Sequence, residues 1–426
     1  MISFSQVLDA TVPHVSNVLQ VKPITLTTGI AALFIGYLSF VQLLRFKRYR
    51  EVHKKYQHKY EAGKLTPEDA QKIMRVSAMY DMPRLLGYSL AFALFKTYGI
   101  PSISKLLAAT KQLKGSETIS RRYADTEILI STWVGCPISG YATEDRTGEI
   151  DPRAMIALAR VNYLHSRYNI SNDDFLYTLI LFIVEPMVWA RKYGWRTLSP
   201  LEEHAYYIFW VEIGKRMGIR DIPESLESMK LWSRAYEKQY MVANPINSAV
   251  AGYTMGELLY SVPNAFGLRR WVENLSTCLL DEPVRIAMMK PAQPWYNHLF
   301  LRSVLYSISF VQRWLMLPRS DSNHRHPVLL DFLKNPDGTI NPRMHPTKYT
   351  VLPWYKPEPS TILGRAWDRF LVLMKIHSHV PSKSLRSEGY RLEEVGPIKL
   401  ETVAREEVLK AAAVLQGCPI TGAFTQ

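Results

Sequence analysis

The chain has 426 residues, 47% of them hydrophobic and 12% aromatic, with a formal net charge of +14 and only three cysteines. That composition can bury a large core, which excludes a disordered chain. The widely separated Cys136, Cys278 and Cys418 exclude a disulfide framework and a zinc-ligand spacing, and fit a reducing compartment.

The basic excess calls for an anionic partner. No nucleic-acid-binding motif is present and an apolar segment is, so membrane lipid is the expected partner and nucleic acid is not. After a short segment at 1–23, residues 24–44 read ITLTTGIAALFIGYLSFVQLL without a charge. At about 1.5 Å per residue this crosses a hydrocarbon core of roughly 30 Å. Arg45, Lys47, Arg48, Arg50, Lys54 and Lys55 follow, within a juxtamembrane stretch at 45–66. A basic flank on the C-terminal side predicts a single-pass anchor with the first segment in a lumen and the large domain in the cytosol. It also argues against a cleaved signal peptide. A buried core helix is the alternative reading of the same stretch.

Beyond the anchor the chain reads as successive helices, so the expected fold class is all-α. One large helical domain spans 67–380, and a tail at 381–426 carries a last helix. Pro67 opens one run, and Pro83 to Tyr98 has helical period. Gly99-Ile100-Pro101 breaks it, and residues 102–113 resume. A helix over 119–134 carries a polar cluster, and Gly135-Cys-Pro-Ile-Ser-Gly140 closes it with a turn. Asp151 as cap and Pro152 as first residue open the next helix, AMIALARVNYLHSRY at 154–168. An apolar helix over 172–190 should kink or end at Pro186. Ser199-Pro200-Leu201-Glu202-Glu203 is a strong helix start, with Gly218 as the stop. Helices are expected at 223–241, 247–262 and 265–280. The run 295–317, interrupted by Arg302 and Arg313, reads as a core helix or a membrane-surface helix. Residues 321–355 read as loop with one short helix at 328–333, followed by helices at 360–377 and 401–415. Alternation of period two is rare, so strands should be scarce. Gly417-Cys-Pro-Ile-Thr-Gly422 nearly repeats 135–140, read as two similar turns arising independently.

His165 lies near the end of the apolar 154–168 helix. It suits an axial metal ligand facing an apolar cavity, and equally a histidine satisfied by a backbone carbonyl. No two histidines have ligand-pair spacing, so an all-protein iron or zinc site is not expected. His324, His326, His377 and His379 read as surface. Arg122, Asp125 and Thr126 fall at i, i+3 and i+4 on one helix face. They form either an internal Arg122–Asp125 salt bridge beside a solvated threonine, or a polar face aimed at a cofactor.

Several blocks carry a resemblance: AFALFKTYGIP at 91–101, RYADT at 122–126, YLHSRY at 163–168, WRTLS at 195–199, Phe209-Trp210 with Gly218-Ile219, and WSRAYEKQYM at 232–241. In this order they resemble the fungal endoplasmic-reticulum-bound oxygenases of the MpaB type, which share a catalytic domain with the bacterial rubber oxygenases, the latex-clearing proteins. The likeness runs from the anchor to the last helix. It implies a globin-like helical core holding one haem b, with His165 at the position of the proximal iron ligand. Arg122 and Thr126 match the characteristic Arg and Thr near the haem. Asp125 stands where rubber oxygenases carry a lysine that can approach the distal side of the iron, so that ligand is missing here.

The implied activity is oxidative cleavage, with dioxygen, of a C=C bond in a prenyl or terpenoid-like chain, in fungal secondary metabolism at the endoplasmic reticulum membrane. Asp125 and Thr126 would steer oxygen or a proton, and Arg122 would hold a propionate or damp negative charge. Two rivals stay open: a haem hydroxylase or peroxidase acting on a lipid or polyketide, and a non-catalytic helical scaffold.

Overall fold

The computed structural model describes residues 26–112, 116–141, 150–320, 326–328, 330–332, 335, 337, 339–420 and 422–424. The expected lumenal segment 1–23 and His324 lie outside them. Among the described residues the chain is helical with no strand, only three isolated bridges, as the all-α expectation required.

Helix α1, Leu26–Arg45, runs almost directly into α2, Lys47–Glu61. Among the described residues, one helix, spanning Thr27–Glu61, is long and apolar enough to cross a membrane. It is not a core helix, because Leu33 is 77% exposed and Phe34, Ile35 and Leu43 stand out beside it. Its basic end folds back on the domain. The Arg45 guanidinium lies 5.0 Å from the Trp195 ring centre, and that of Arg48 lies 4.2 Å from Tyr80. Such cation–π contacts hold the helix end where a bare charge would otherwise drift in solvent.

Helix α3, Pro67–Arg75, starts on a reciprocal cap between Thr66 and Asp69. A π-helical turn, Val76–Asp81, leads to α4, Pro83–Thr97, and α5, Pro101–Ala109. Then come α6, Ser116–Gly135, α7, Arg153–His165, α8, Asn172–Tyr193, and α9, Pro200–Arg216. Helix α3 packs on α9, α4 on α8, and α6 on α7. The Ser199–Glu202 cap predicted from sequence forms, with each side chain accepting from the other's backbone N–H. Arg196 then bridges the buried carboxylates of Glu202, at 2.6 Å, and Asp81, at 2.7 Å. Pro186 does not end α8. The helix continues to Tyr193, and its buried flanks Ile183, Met187 and Ala190 keep it in the core. The first residue of α7 is Arg153 rather than Pro152, and Asp151 accepts from the Arg153 N–H at 3.2 Å.

The remaining helices are α10, Leu226–Tyr240, α11, Pro245–Leu258, α12, Leu268–Thr277, α13, Glu282–Ala287, and α14, Trp295–Trp314. An irregular stretch precedes α15, Ile362–Leu373, and α16, Arg405–Gln416. No helix covers the described residues of 328–333; Val328 instead bridges to Pro346, beside the proline-rich turns of this stretch. His326 and His377 are buried rather than on the surface. Each donates from Nδ1 to a backbone carbonyl, that of Val328 at 3.2 Å and that of Thr350 at 3.0 Å, which is what a buried imidazole requires.

Helix α7 is the centre of the molecule. Every residue from Arg153 to Val161 is buried, with alanines at 154, 157 and 159 allowing neighbours to approach closely. Helix α16 packs on it from the C-terminal segment. Arg160, fully buried, donates to the carbonyls of Val395 at 2.8 Å, Leu400 at 2.7 Å and Val403 at 3.1 Å. Residues 381–424 therefore share the core that α7 organises.

Candidate active site

Helices α6 and α7 are neighbours joined by one connection, so the start of α6 faces the end of α7. That juxtaposition brings Arg122, in the second turn of α6, near His165, the last residue of α7. The rows of α6 separate its polar residues. Arg121 and Asp125, four apart, share one row, and Arg122 and Thr126 share the next.

The Arg122–Asp125 pair read from the sequence is replaced by an Arg121–Asp125 pair, 3.6 Å from Nε to Oδ2. Spacing of i, i+4 favours Arg121, a member of the same polar cluster, over Arg122. Arg121 also donates to Glu401 Oε1 at 2.9 Å and lies 5.1 Å from the Trp354 ring centre. Arg386 fixes Glu401 from the other side through two nitrogens. Tyr355 donates its phenol O–H to Asp125 Oδ1 at 2.7 Å. The Tyr355 backbone sits in the left-handed region, with φ of 64°, and is held there by Leu385 and His345. An aromatic residue in that region marks a locally over-determined site. Burial pushes the Asp125 carboxyl up to about 6, against the opposing pull of Arg121 and the Tyr355 hydrogen bond.

Arg121, Arg122, Asp125, Thr126 and Leu129 form one wall of a cleft, and Leu164, Gly396 and Pro397 form the other. The cleft is narrow, with a cavity volume of about 20 Å³. The C-terminal segment is thus a structural part of the site, held by Arg160 and by the Arg121–Glu401 pair. Tyr355, Glu401 and Arg160 carried no local sequence signal. Their partners lie 230, 280 and 235 residues away along the chain.

His165 itself does not line this cleft; its neighbour Leu164 does. The imidazole lies against Phe175, with ring centres 5.4 Å apart. Its Nδ1 is buried without a hydrogen-bond partner. Burial, reinforced by the nearby Arg122 guanidinium, pushes the ring down to about 4, so it is neutral at physiological pH. The backbone-carbonyl alternative is therefore not what the structure contains. Arg122, for its part, forms no hydrogen bond or ion pair among the described residues. A neutral imidazole with an orphaned nitrogen beside an unpaired guanidinium is a donor set that fits a metal-centred group carrying carboxylates, as haem does. Among the described residues no three His, Cys, Asp or Glu side chains converge as a metal site. Cys136, just beyond the end of α6, is buried, and burial pushes its thiol up to about 12.

The two near-identical turns meet in space. A Cβ at Gly140 would come within 2.6 Å of Gln416, and Tyr141 donates to Cys418 Sγ at 3.6 Å. The first closes α6 and the second closes α16, and both helices pack on α7.

Residues 118–304 match the family described as ER-bound oxygenase mpaB/B'/Rubber oxygenase, catalytic domain. The matched region contains Arg122, Asp125, Thr126 and His165. An ER-bound oxygenase mpaB' of Penicillium brevicompactum is 31% identical over 93% of this chain and 94% of its own length. An ER-bound oxygenase mpaB of Penicillium roqueforti is 34% identical over 60% of this chain and 88% of its own. The mpaB of P. brevicompactum is 32% identical over 66% of this chain and 74% of its own. With a relative this similar along nearly its whole length, the chain belongs to the family of the ER-bound oxygenases mpaB/B' and the rubber oxygenases, and is an oxygenase.

Proposed function

We propose that this oxygenase binds one haem b on His165 and uses dioxygen to cleave a C=C bond in a prenyl or terpenoid-like substrate. The observation that carries the reading is the juxtaposition, on two packed helices, of the His165 imidazole, whose Nδ1 is unbonded, with the Arg122 guanidinium, which has no hydrogen-bond or ion-pair partner among the described residues. His165 would hold the iron through a neutral imidazole, and Arg122 would hold a propionate. Haem, when bound, supplies the activation of dioxygen. Addition of both oxygen atoms across one C=C bond, with scission, leaves two carbonyl ends.

The rest is done by the chain. Asp125, buried and near neutrality in its titration, can hold a proton on its carboxyl and release it to a group in the cleft. Tyr355 and Arg121 hold that carboxyl in one orientation. Thr126 adds a hydroxyl to the same wall, and Leu129, Leu164 and Pro397 give the cleft its apolar surface. The catalytic unit is residues 67–380 completed by the 381–426 segment. Helix α1 anchors it by a single span in the endoplasmic reticulum membrane, with the domain on the cytosolic side. An apolar chain partitions into that membrane, so the anchor raises its local concentration at the cleft. The reading places the reaction in fungal secondary metabolism; the named relatives are from Penicillium.

The test uses the full chain purified in detergent. A Soret band that is lost or displaced in His165→Ala is expected. No Soret band overturns the haem, and a band unchanged in His165→Ala overturns the ligand. With a prenylated substrate and dioxygen, carbonyl products are expected; hydroxylated products alone would favour a hydroxylase.

A further inference from the structure

We propose that the outer face of α14, continued by the residues leading into α12, lies in the same membrane leaflet that α1 enters. The domain is then seated in lipid along a helix instead of hanging from one span. The proposal rests on α1 crossing the membrane.

Helix α14 is an anomaly for a water-facing helix. Of its 20 residues only Asn297 is buried. Yet Trp295 is 75% exposed, Leu299 56% and Phe310 58%, with Phe300, Val304 and Ile308 also open. A helix that is apolar around most of its circumference belongs in a core or in lipid, and contiguous exposed apolar surface of this extent marks an interaction site. Phe266, Leu268 and Trp271 extend the surface sideways, with Trp271 and Phe300 in ring contact at 5.0 Å.

Continuity with the membrane identifies the occupant. The end of α14 and the residues just after it are bonded to the C-terminal half of α1 and the start of α2. Tyr37 donates to the Leu315 carbonyl at 2.6 Å, Gln42 to that of Arg313 at 2.7 Å, and Arg48 to that of Arg319 at 2.8 Å. Arg45 donates to Met316 as well. If Arg45 marks the headgroup level, the Met316 carbonyl bonded to it, and with it the end of α14, lies close to that level. The start of α14 carries Trp295 and Tyr296, residue types enriched at the lipid–water boundary. Arg302 and His298 interrupt the helix, and it is not apolar enough to span. A helix of this kind lies in the plane of the interface.

The experiment places single nitroxide labels on the full chain in phosphatidylcholine vesicles. Cys278 and Cys418 are replaced by serine, and the buried Cys136 is retained. Labels go at Leu299 and Phe310 on α14, Ile35 on α1, and the exposed Leu231 on α10. Collision with oxygen and with a water-soluble nickel chelate reports depth. Labels at 299 and 310 should resemble 35, with an oxygen-to-nickel ratio severalfold above that at 231. Labels at 299 and 310 that match 231 overturn the proposal. Labels reached by neither probe, or broadened by spin–spin coupling, also overturn it, in favour of a protein partner or a second copy. A water-like label at 35 with lipid-like labels at 299 and 310 would instead overturn the anchor and leave the docking face standing.

Discussion

Tyr355 donates a 2.7 Å hydrogen bond to Asp125 across 230 residues of chain, joining the irregular stretch before α15 to the third turn of α6. The donor stabilises the charged carboxylate in a place where burial disfavours it. Tyr355→Phe removes that donor and little else. The Asp125 carboxyl should then titrate higher than about 6, and stability at neutral pH should fall by about 1–3 kcal/mol, the cost of an unsatisfied buried acceptor. Urea unfolding of the full chain in detergent measures the second, and an unchanged midpoint would show that the hydrogen bond is dispensable.

Arg160 makes a sharper structural prediction. Its guanidinium satisfies three carbonyls in residues 395–403, and that segment carries Gly396 and Pro397 to the cleft. Arg160→Met leaves three buried acceptors without a donor and should cost about 3–5 kcal/mol. Amide exchange should rise in 395–403 before it rises in α7. Arg160→Lys should recover little, because one ammonium cannot reproduce the planar fork. Full stability in Arg160→Lys would mean that the fork geometry is unimportant.

These two residues show where sequence reasoning stops. The helices were legible because their signals are local: Ser199-Pro200 with Glu202 caps a helix using four adjacent residues. The candidate cluster on α6 was legible as a row spacing, although Arg121 rather than Arg122 was the partner of Asp125. Tyr355 and Glu401 sit in irregular segments, where no period identifies an inward side chain, so only the fold brings them to α6. The burial of His326 and His377 was hidden by polar, proline-rich surroundings that resemble surface loop. Helix α14 was ambiguous for a different reason, since burial by protein and contact with lipid produce the same apolar pattern.

Gly135 tests one such hidden contact. A Cβ there would come within 2.4 Å of His326 Cε1 and 2.7 Å of Leu330 Cδ2. His326 is buried against the end of α6 and cannot swing into solvent without losing its Val328 contact. Gly135→Ala should therefore destabilise by about 1–3 kcal/mol, the usual cost of overpacking. The same substitution at the exposed-side Gly252, where nothing lies within 4 Å, should be neutral or stabilising. Thermal melts of the two variants make the comparison, and equal shifts would count against the Gly135–His326 contact.

The two titrating residues of the site oppose one another in pH. Asp125 is raised by burial from 3.8 to about 6, so its contribution is fully present below pH 3.8 and is lost as pH rises through 6. His165 is lowered by burial and by Arg122 from 6.5 to about 4, so its contribution is present above pH 6.5 and is lost as pH falls through 4. Each shift corresponds to roughly 3 kcal/mol at about 1.4 kcal/mol per unit, and between pH 4 and 6.5 the two slopes nearly cancel. Removing either group should uncover the other. Asp125→Asn should become less stable than the parent's own trend as pH falls from 6.5 to 4, whereas His165→Phe should become more stable over the same interval. Unfolding free energies of the cofactor-free chain at half-unit steps, each plotted as the difference from the unsubstituted protein, should diverge with opposite signs. Parallel curves for both variants would mean that neither group is buried as the structure has it.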